Sequence, residues 1–472
     1  MSKTGAITEL VWLRRDLRLH DNPALSAALA TGDGVVAVFC FDHRLLRGRH
    51  HSGPRTRFLL ECLQDLDRSM RERGSGLIVR CGRPERELTE LARGLRARGV
   101  HAAADSGPFA RQRDERVTRE LGRAGVRLSL HPGVFVVDDP AAIRTAAGRT
   151  YTVFTHYHRS WLRQPRRDLL APPDALPPLP SRLKRGRLPR IQDLDLGQPL
   201  LDPVPGGEQP GRERMQRFLD GGVSAYAAQR DALGAAGTSR LSPYLHFGCI
   251  SALELDQRLP RDAGAGELRR QLCWRDFYAQ VLQRFPGNAG AEHQARYRAT
   301  IGWNHAREPF EAWCEGRTGY PLVDAAMRQL SSEGWMHNRA RMVAGSFLTK
   351  DLGIDWRWGE RWFMRRLLDG DEASNNGNWQ WIASVGVDPQ PPARRIFNPA
   401  RQQERFDPDG TYVRRYLPEL RAVPTAYLAE PWKMPHDLQV QAHCIVGTDY
   451  PAPIVDHLVA RREALARYRA AG

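Results

Sequence analysis

Between residues 335 and 381 the sequence gathers tryptophans, close carboxylates and a run of amides. The blocks are Trp335-Met336-His337-Asn338-Arg339-Ala340-Arg341-Met342, Asp355-Trp356-Arg357-Trp358, Asp369-Gly370-Asp371 and Asn375-Asn376-Gly377-Asn378-Trp379-Gln380-Trp381. An ordinary core rarely needs that many indoles so close together. A pocket for a flat aromatic cofactor, with a path for electrons, would use them. Ten of the twelve tryptophans lie beyond residue 270, so this character belongs to one half of the chain.

The other half has a different texture. Residues 8–14, 34–42, 77–80, 100–105 and 126–131 are apolar runs of strand length. Helical spacing separates several of them, at 55–73, 84–98 and 111–122. Strands alternating with helices predict a five-stranded parallel sheet covered on both faces, in a Rossmann-like α/β domain over residues 6–135. The first strand-to-helix turn, Arg14 to Pro23, contains no glycine, so the dinucleotide-binding fingerprint is absent. Residues 136–211 are expected to form an interdomain linker that wraps the surface. Ten prolines between 171 and 210 and the basic cluster Lys184-Arg185-Gly186-Arg187 mark it. From 212 to 472 the strand pattern disappears. Helical stretches follow at 212–219, 224–233, 251–258, 266–284, 308–315, 321–331, 337–350 and 357–368, predicting an all-α C-terminal domain.

The net charge of +16 is carried almost wholly by arginine and points to a polyanion, nucleic acid first, unless the charge is spread evenly. Seven scattered cysteines without a C-x-x-C pair fit a reduced compartment and argue against a structural metal site. No apolar run reaches about eighteen residues, and the N-terminus lacks an apolar leader, so a cytoplasmic chain without a membrane span is expected.

Several clusters suggest chemistry. Thr238-Ser239-Arg240-Leu241-Ser242-Pro243 offers hydroxyls, amides and a guanidinium for a pyrophosphate, or reads as a helix cap with a first-turn proline; Tyr226 would add a phenol. Gln271, Trp274, Arg275 and Tyr278 share one helical face, suited to a nucleobase or to core packing. Asn338 and Met342 stand four apart on a helix, where a mid-helix Asn needs a reason. Beside them Arg341 would pair with Asp369, a fork that stabilises negative charge on a reduced ring. Asp371 would take a ribose or adenine group, and Asn375 offers an amide. Trp303, Trp356 and Trp379 are each core residues by default, or together an electron relay.

These blocks, with Trp12-Leu13-Arg14-Arg15-Asp16-Leu17-Arg18, Thr318–Leu330 and Phe397-Asn398-Pro399, resemble the DNA photolyase and cryptochrome family over nearly the whole chain. They are most like a class I cyclobutane pyrimidine dimer photolyase. The resemblance implies FAD in the helical domain and light-driven repair of pyrimidine dimers by electron transfer. It gives Tyr226, Thr238, Ser239, Arg240, Leu241, Ser242, Gln271, Arg275, Asn338, Arg341, Asp369, Asp371 and Asn375 to the cofactor. Trp379, Trp356 and Trp303 match an electron-transfer chain ordered from flavin to surface. Gln271, Trp274, Asn338, Arg339, Met342 and Trp381 match contacts to the flipped lesion. The implied partner is damaged DNA, bound by a monomer without a membrane. Arg55 and Asp105 match an antenna site for a second chromophore, of deazaflavin (8-HDF) rather than folate type. No metal is implied.

Two departures bear on the substrate. Gln271 stands where dimer photolyases of this class usually have Glu, and Gln390–Ile396 replaces a Pro-Tyr-Phe-Arg-like segment with one extra residue. A 6-4 photoproduct enzyme would have His at the positions of Asn338 and Met342. A cryptochrome-like blue-light photoreceptor is the alternative from a different class.

Overall fold

The apolar runs become parallel strands, buried at the centre of the sheet and partly exposed at its edges, because strands covered on both faces can carry continuous hydrophobic sequence. In the computed structural model, which describes residues 7–48, 50–194, 196–197 and 199–472, β1 is Thr8–Leu13, β2 Gly34–Phe41, β3 Ile78–Cys81, β4 Gly99–Ala103 and β5 Arg127–His131. The order is β3-β2-β1-β4-β5, every pair parallel. Helices Pro23–Thr31, Gly53–Glu72, Pro84–Leu95 and Pro108–Arg123 connect them. Proline stands in the first turn of each, where its missing N–H is not needed.

The connecting segment lies along the α/β half. The Val79 N–H donates to the Arg185 carbonyl at 2.7 Å, and the Leu176 N–H to the Arg73 carbonyl at 2.8 Å. The basic stretch thus pairs with edge strand β3 and covers donors that would otherwise invite another strand.

The rest is helical. Helix Ala263–Arg284 lies at its centre and packs against helix Glu372–Ile382. Helices Pro321–Glu333, Asn338–Ser346 and Trp356–Arg366 complete that side, and helix His457–Ala470 closes the chain. The sequence pattern lacks the helices beyond residue 368, such as His457–Ala470, and differs in three places that bear on the site. The expected 224–233 helix is only Tyr226–Gln229. Asn338 is the first residue of its helix, capped by His337, so it is not mid-helix and has no propensity penalty to explain. Helix Glu372–Ile382 was not foreseen at all. Its amides are poor helix formers, but Asn376 and Gln380 both donate to the Asn288 carbonyl, at 2.9 and 2.8 Å. Tertiary bonds override local propensity there.

The halves are joined at the turn after β1. Arg18, 1% exposed, donates to the carbonyls of Gly133, Gly248 and Asp21. The Leu19 and His20 N–H groups donate to the Glu208 carboxylate at 2.7 and 3.0 Å. Arg55 reaches from helix Gly53–Glu72 to the carbonyls of Met364 and Leu367 at 2.6 and 3.1 Å. The turn thus holds the second half of the molecule through the Arg18 guanidinium and two main-chain N–H groups. No helix among the described residues is long and apolar enough to cross a membrane.

Candidate functional site

A cavity of about 520 Å³ opens in the helical half. Its size falls in the usual range for small-molecule sites. Tyr226, Thr238, Ser239, Arg240, Leu241, Ser242, Gln271, Trp274, Arg275, Asn338, Arg339, Arg341, Met342, Asp369, Asp371, Asn375, Trp379 and Trp381 all line it. Segments more than a hundred residues apart in sequence thus meet around one space. Trp303, Trp356, Arg55 and Asp105 do not line it.

The expected Arg341–Asp369 pair forms, with Nη2 to Oδ2 at 2.8 Å. The second Asp369 oxygen, Oδ1, is buried without a protein partner. A buried acceptor left open at a cavity wall fits a ligand donor. Asn375 Nδ2 donates to the Glu360 carbonyl at 2.9 Å, so its oxygen is the atom left to meet a ligand. His246 also lines the cavity with Nδ1 unpartnered. Burial, then the charge on Arg15, push its pKa well below the usual value and keep it neutral. At Gly345 on the wall, a Cβ would come within 3.2 Å of Ile382 Cγ2. Open acceptors, a fixed amide and a tight wall fit FAD, which the sequence resemblance implies.

Asp371 is engaged already. Its Oδ1 accepts the Ser374 N–H at 2.8 Å and caps helix Glu372–Ile382. Its Oδ2 meets Arg15 Nη2 at 2.8 Å, and Arg15 Nη1 meets Asp105 at 3.1 Å. Burial alone would raise the Asp371 pKa, but the charges of Arg15 and Arg275 and the Ser374 N–H outweigh it and hold the carboxyl well below its usual range. Asp105 follows β4 and Arg15 follows β1, beside the point where strand order reverses. That crevice of an α/β sheet commonly takes a ligand; here an ion-pair chain to the helical half runs through it. Arg55 also gives Nη2 to the His50 carbonyl at 2.5 Å, so its guanidinium serves the interface.

Two arginines expected at the cofactor point their charge elsewhere. Arg240 Nη2 pairs with Glu333 at 2.6 Å and stacks on Trp335. Arg275 donates to the carbonyls of Val134 and Leu245 at 2.6 and 3.1 Å. Arg339 pairs with Asp231 at 2.8 Å. That leaves the Thr238, Ser239 and Ser242 hydroxyls and the Tyr226 phenol as uncharged donors at this end. Ser242 does begin a helix with Pro243 in its first turn, but no side chain caps it.

At the other side Gln271, Trp274, Arg275 and Tyr278 share one face of helix Ala263–Arg284. Trp274 and Trp381 are each part-exposed on the wall. The Asn338 amide points to Met342 Sδ at 3.8 Å. In the unusual 390–396 stretch, Arg395 is buried and donates to the Trp381 and Asp388 carbonyls, both at 2.7 Å.

Trp379 lines the cavity and is 3% exposed; Trp356 is 1% exposed, and Trp303 is partly exposed. The helices carrying Trp379 and Trp356 pack together. Sequence reasoning missed Trp313, fully buried with its ring centroid 6.2 Å from that of Trp379. It also missed Arg230, Asp231, His246 and Trp335 on the wall. Asp231 and His246 carry no pattern of their own, and the signal for Trp335 was its place within the Trp-rich block.

Residues 9–180 match a family model described as DNA photolyase, and residues 268–470 match the FAD binding domain of DNA photolyase. The chain is 41% identical to a deoxyribodipyrimidine photo-lyase of Streptomyces griseus, covering 96% of this chain and 97% of that one. Its structure is similar to a bacterial class III photolyase from Agrobacterium tumefaciens, with TM-score 0.91 and 34% identity over 100% of this chain and 98% of the other. It is also similar to a Synechocystis cryptochrome, with TM-score 0.90 and 31% identity over 99% and 100% of the two chains.

Proposed function

The chain belongs to the DNA photolyase family, and from that premise we propose that it is a deoxyribodipyrimidine photo-lyase that repairs cyclobutane pyrimidine dimers in DNA. The observation that carries the reading is the single cavity that joins the Arg341–Asp369 fork and Asn375 to the two part-exposed indoles, Trp274 and Trp381.

FAD, when bound and reduced, supplies the light-driven electron that opens the dimer's cyclobutane ring. Everything else is the work of side chains. The Thr238, Ser239 and Ser242 hydroxyls with Tyr226 hold the phosphates. Arg341, kept in place by Asp369, sets a positive charge beside the ring system, and Asn375 offers its oxygen. Trp274 and Trp381 stack on the flipped lesion, which is weakly stacked in DNA and so costs less to extrude than an ordinary base. Gln271, Asn338, Arg339 and Met342 line the same side. Gln271 hydrogen-bonds the lesion without delivering a proton. Trp379 and Trp356, both buried, and part-exposed Trp303 carry electrons between the surface and the cavity. The arginine surplus meets DNA phosphates without reading sequence.

A second chromophore of the deazaflavin (8-HDF) type would bind against the α/β half. Arg55 and Asp105 would shape that place through the interface they hold together. The chain acts as a monomer in the reducing cytoplasm, in keeping with seven free thiols among the described residues.

The test is survival. Expression in a bacterium lacking photoreactivation, followed by ultraviolet exposure, should raise survival under blue light and not in the dark. Equal survival in light and dark would refute the proposal. It would favour the photoreceptor reading, which Gln271 and the cryptochrome likeness support.

A further inference from the structure

Phe154 lies flat on Trp274, with ring centroids 3.6 Å apart and planes 3° from parallel. Phe154 begins helix Phe154–Leu162, in the segment between the sheet and the helical half. It is 1% exposed, whereas Trp274 is part-exposed on the cavity wall. Arg270, one turn before Trp274, places its guanidinium 4.8 Å from the Phe154 ring centroid. Tyr278 packs against Trp274 at 5.3 Å and 31°. Trp274 is thus gripped by aromatic neighbours from two parts of the chain.

The second indole is gripped too. Trp381 Nε1 donates to Asp388 Oδ2 at 3.4 Å, and Arg395 lies 3.9 Å from the centroid of its ring. The two grips meet at Asp388. Its Oδ1 accepts the Phe154 N–H at 3.2 Å, and its own N–H donates to the Thr152 carbonyl at 2.7 Å. Its carbonyl accepts from Arg395 at 2.7 Å. Asp388 sits at φ 54, a left-handed conformation that Asp tolerates better than most residues. One carboxylate therefore ties the support of one indole to the N–H of the other, across segments more than two hundred residues apart.

We propose that Asp388 and Phe154 are positioning residues that set the orientation and separation of Trp274 and Trp381, and thereby the fit of a flipped pyrimidine dimer. The proposal rests on the repair reading above. It adds a strap from outside the helical half to the substrate side of the cavity. Stacking favours narrow ranges of ring separation and tilt, so indoles fixed before binding need less ordering when a lesion enters.

Two measurements test it. The first is ¹⁹F NMR of FAD-loaded protein carrying 5-fluorotryptophan, with the signals of Trp274 and Trp381 assigned through Trp274→Phe and Trp381→Phe. Asp388→Ala should move both signals and leave buried Trp12 in place, and Phe154→Leu should move Trp274. An Asp388→Ala spectrum in which only Trp381 moves, or neither, overturns the clasp. Should that variant not fold, Asp388→Asn offers one oxygen where two were used and must still move at least one of the two signals; an unchanged spectrum overturns the clasp equally.

The second is binding in the dark to an oligonucleotide with one thymine dimer, against the same sequence undamaged. Phe154→Leu and Asp388→Ala should weaken dimer binding about 3- to 10-fold, with undamaged binding and FAD content unchanged. Equal losses for both oligonucleotides would mark a merely structural role and overturn the proposal. If the unmodified protein shows no preference for the dimer, the repair reading falls, and the NMR arm still decides whether the clasp exists.

Discussion

Replacing Arg15 with Met removes the one cation between two carboxylates. Arg15 is 19% exposed, and its partners Asp105 and Asp371 are 11% and 14% exposed, at 3.1 and 2.8 Å. Removing one partner of a buried ion pair costs about 3–5 kcal/mol, because the other charge stays desolvated. Here two carboxylates lose their direct partner, with Arg14, Arg113 and Arg275 still nearby. The expected loss is about 4 kcal/mol near pH 7, a large share of the roughly 5–15 kcal/mol that holds a typical domain. The sign with pH follows. Both carboxyls are held below their usual range, Asp105 by Arg15 and nearby arginines against burial that would raise it. Their stabilisation is therefore present above the unfolded carboxyl pKa of about 3.9 and is lost as pH falls through the lower folded values. In the variant, burial without the cation raises both carboxyls, so acid relieves it. Urea unfolding at about pH 7 and about pH 4.5 should show the gap between the proteins narrowing in acid. Adding Asp371→Asn should recover part of the loss, with a coupling of about 1–3 kcal/mol. A loss below about 1 kcal/mol at neutral pH, or a gap that does not change with pH, would refute the reasoning.

Further outcomes are expected at the cavity. Arg341→Met leaves Asp369 buried without its cation and should weaken FAD retention by about 2–3 kcal/mol, read as flavin released on dilution. Gly359→Ala pushes a Cβ into the Trp379 ring, with Leu348 Cδ2 2.6 Å away. Overpacking of this kind costs about 1–3 kcal/mol, so thermal unfolding should come earlier, and displaced Trp379 should slow light-driven reduction of the bound flavin. Trp381→Ala should lower affinity for dimer-containing DNA by about 1–3 kcal/mol in filter binding, leaving undamaged DNA unaffected.

The sheet was legible because doubly covered strands need unbroken apolar runs, and Val35–Phe41 is one. The Arg341–Asp369 pair was legible because both residues fall within the Trp-rich 335–381 stretch, where a guanidinium and a carboxylate can neutralise each other. Helix Glu372–Ile382 was not, since its amides are poor helix formers held by tertiary bonds to Asn288 and Glu360 that no local pattern encodes. The aims of Arg240 and Arg275 were equally hidden. A guanidinium beside a cavity in sequence can turn to Glu333 or to main-chain carbonyls, and spacing does not distinguish these. The same holds for Phe154, whose stack on Trp274 joins residues 120 positions apart.

The most direct test of the account uses purified protein with reduced FAD, kept free of oxygen, and an oligonucleotide containing a single thymine cyclobutane dimer. The quantity followed is the ultraviolet absorbance of the restored thymines under blue light, against a dark control. The account predicts light-dependent recovery with Gln271 in place and none in the dark. No recovery from a protein that holds FAD and binds the oligonucleotide would contradict it.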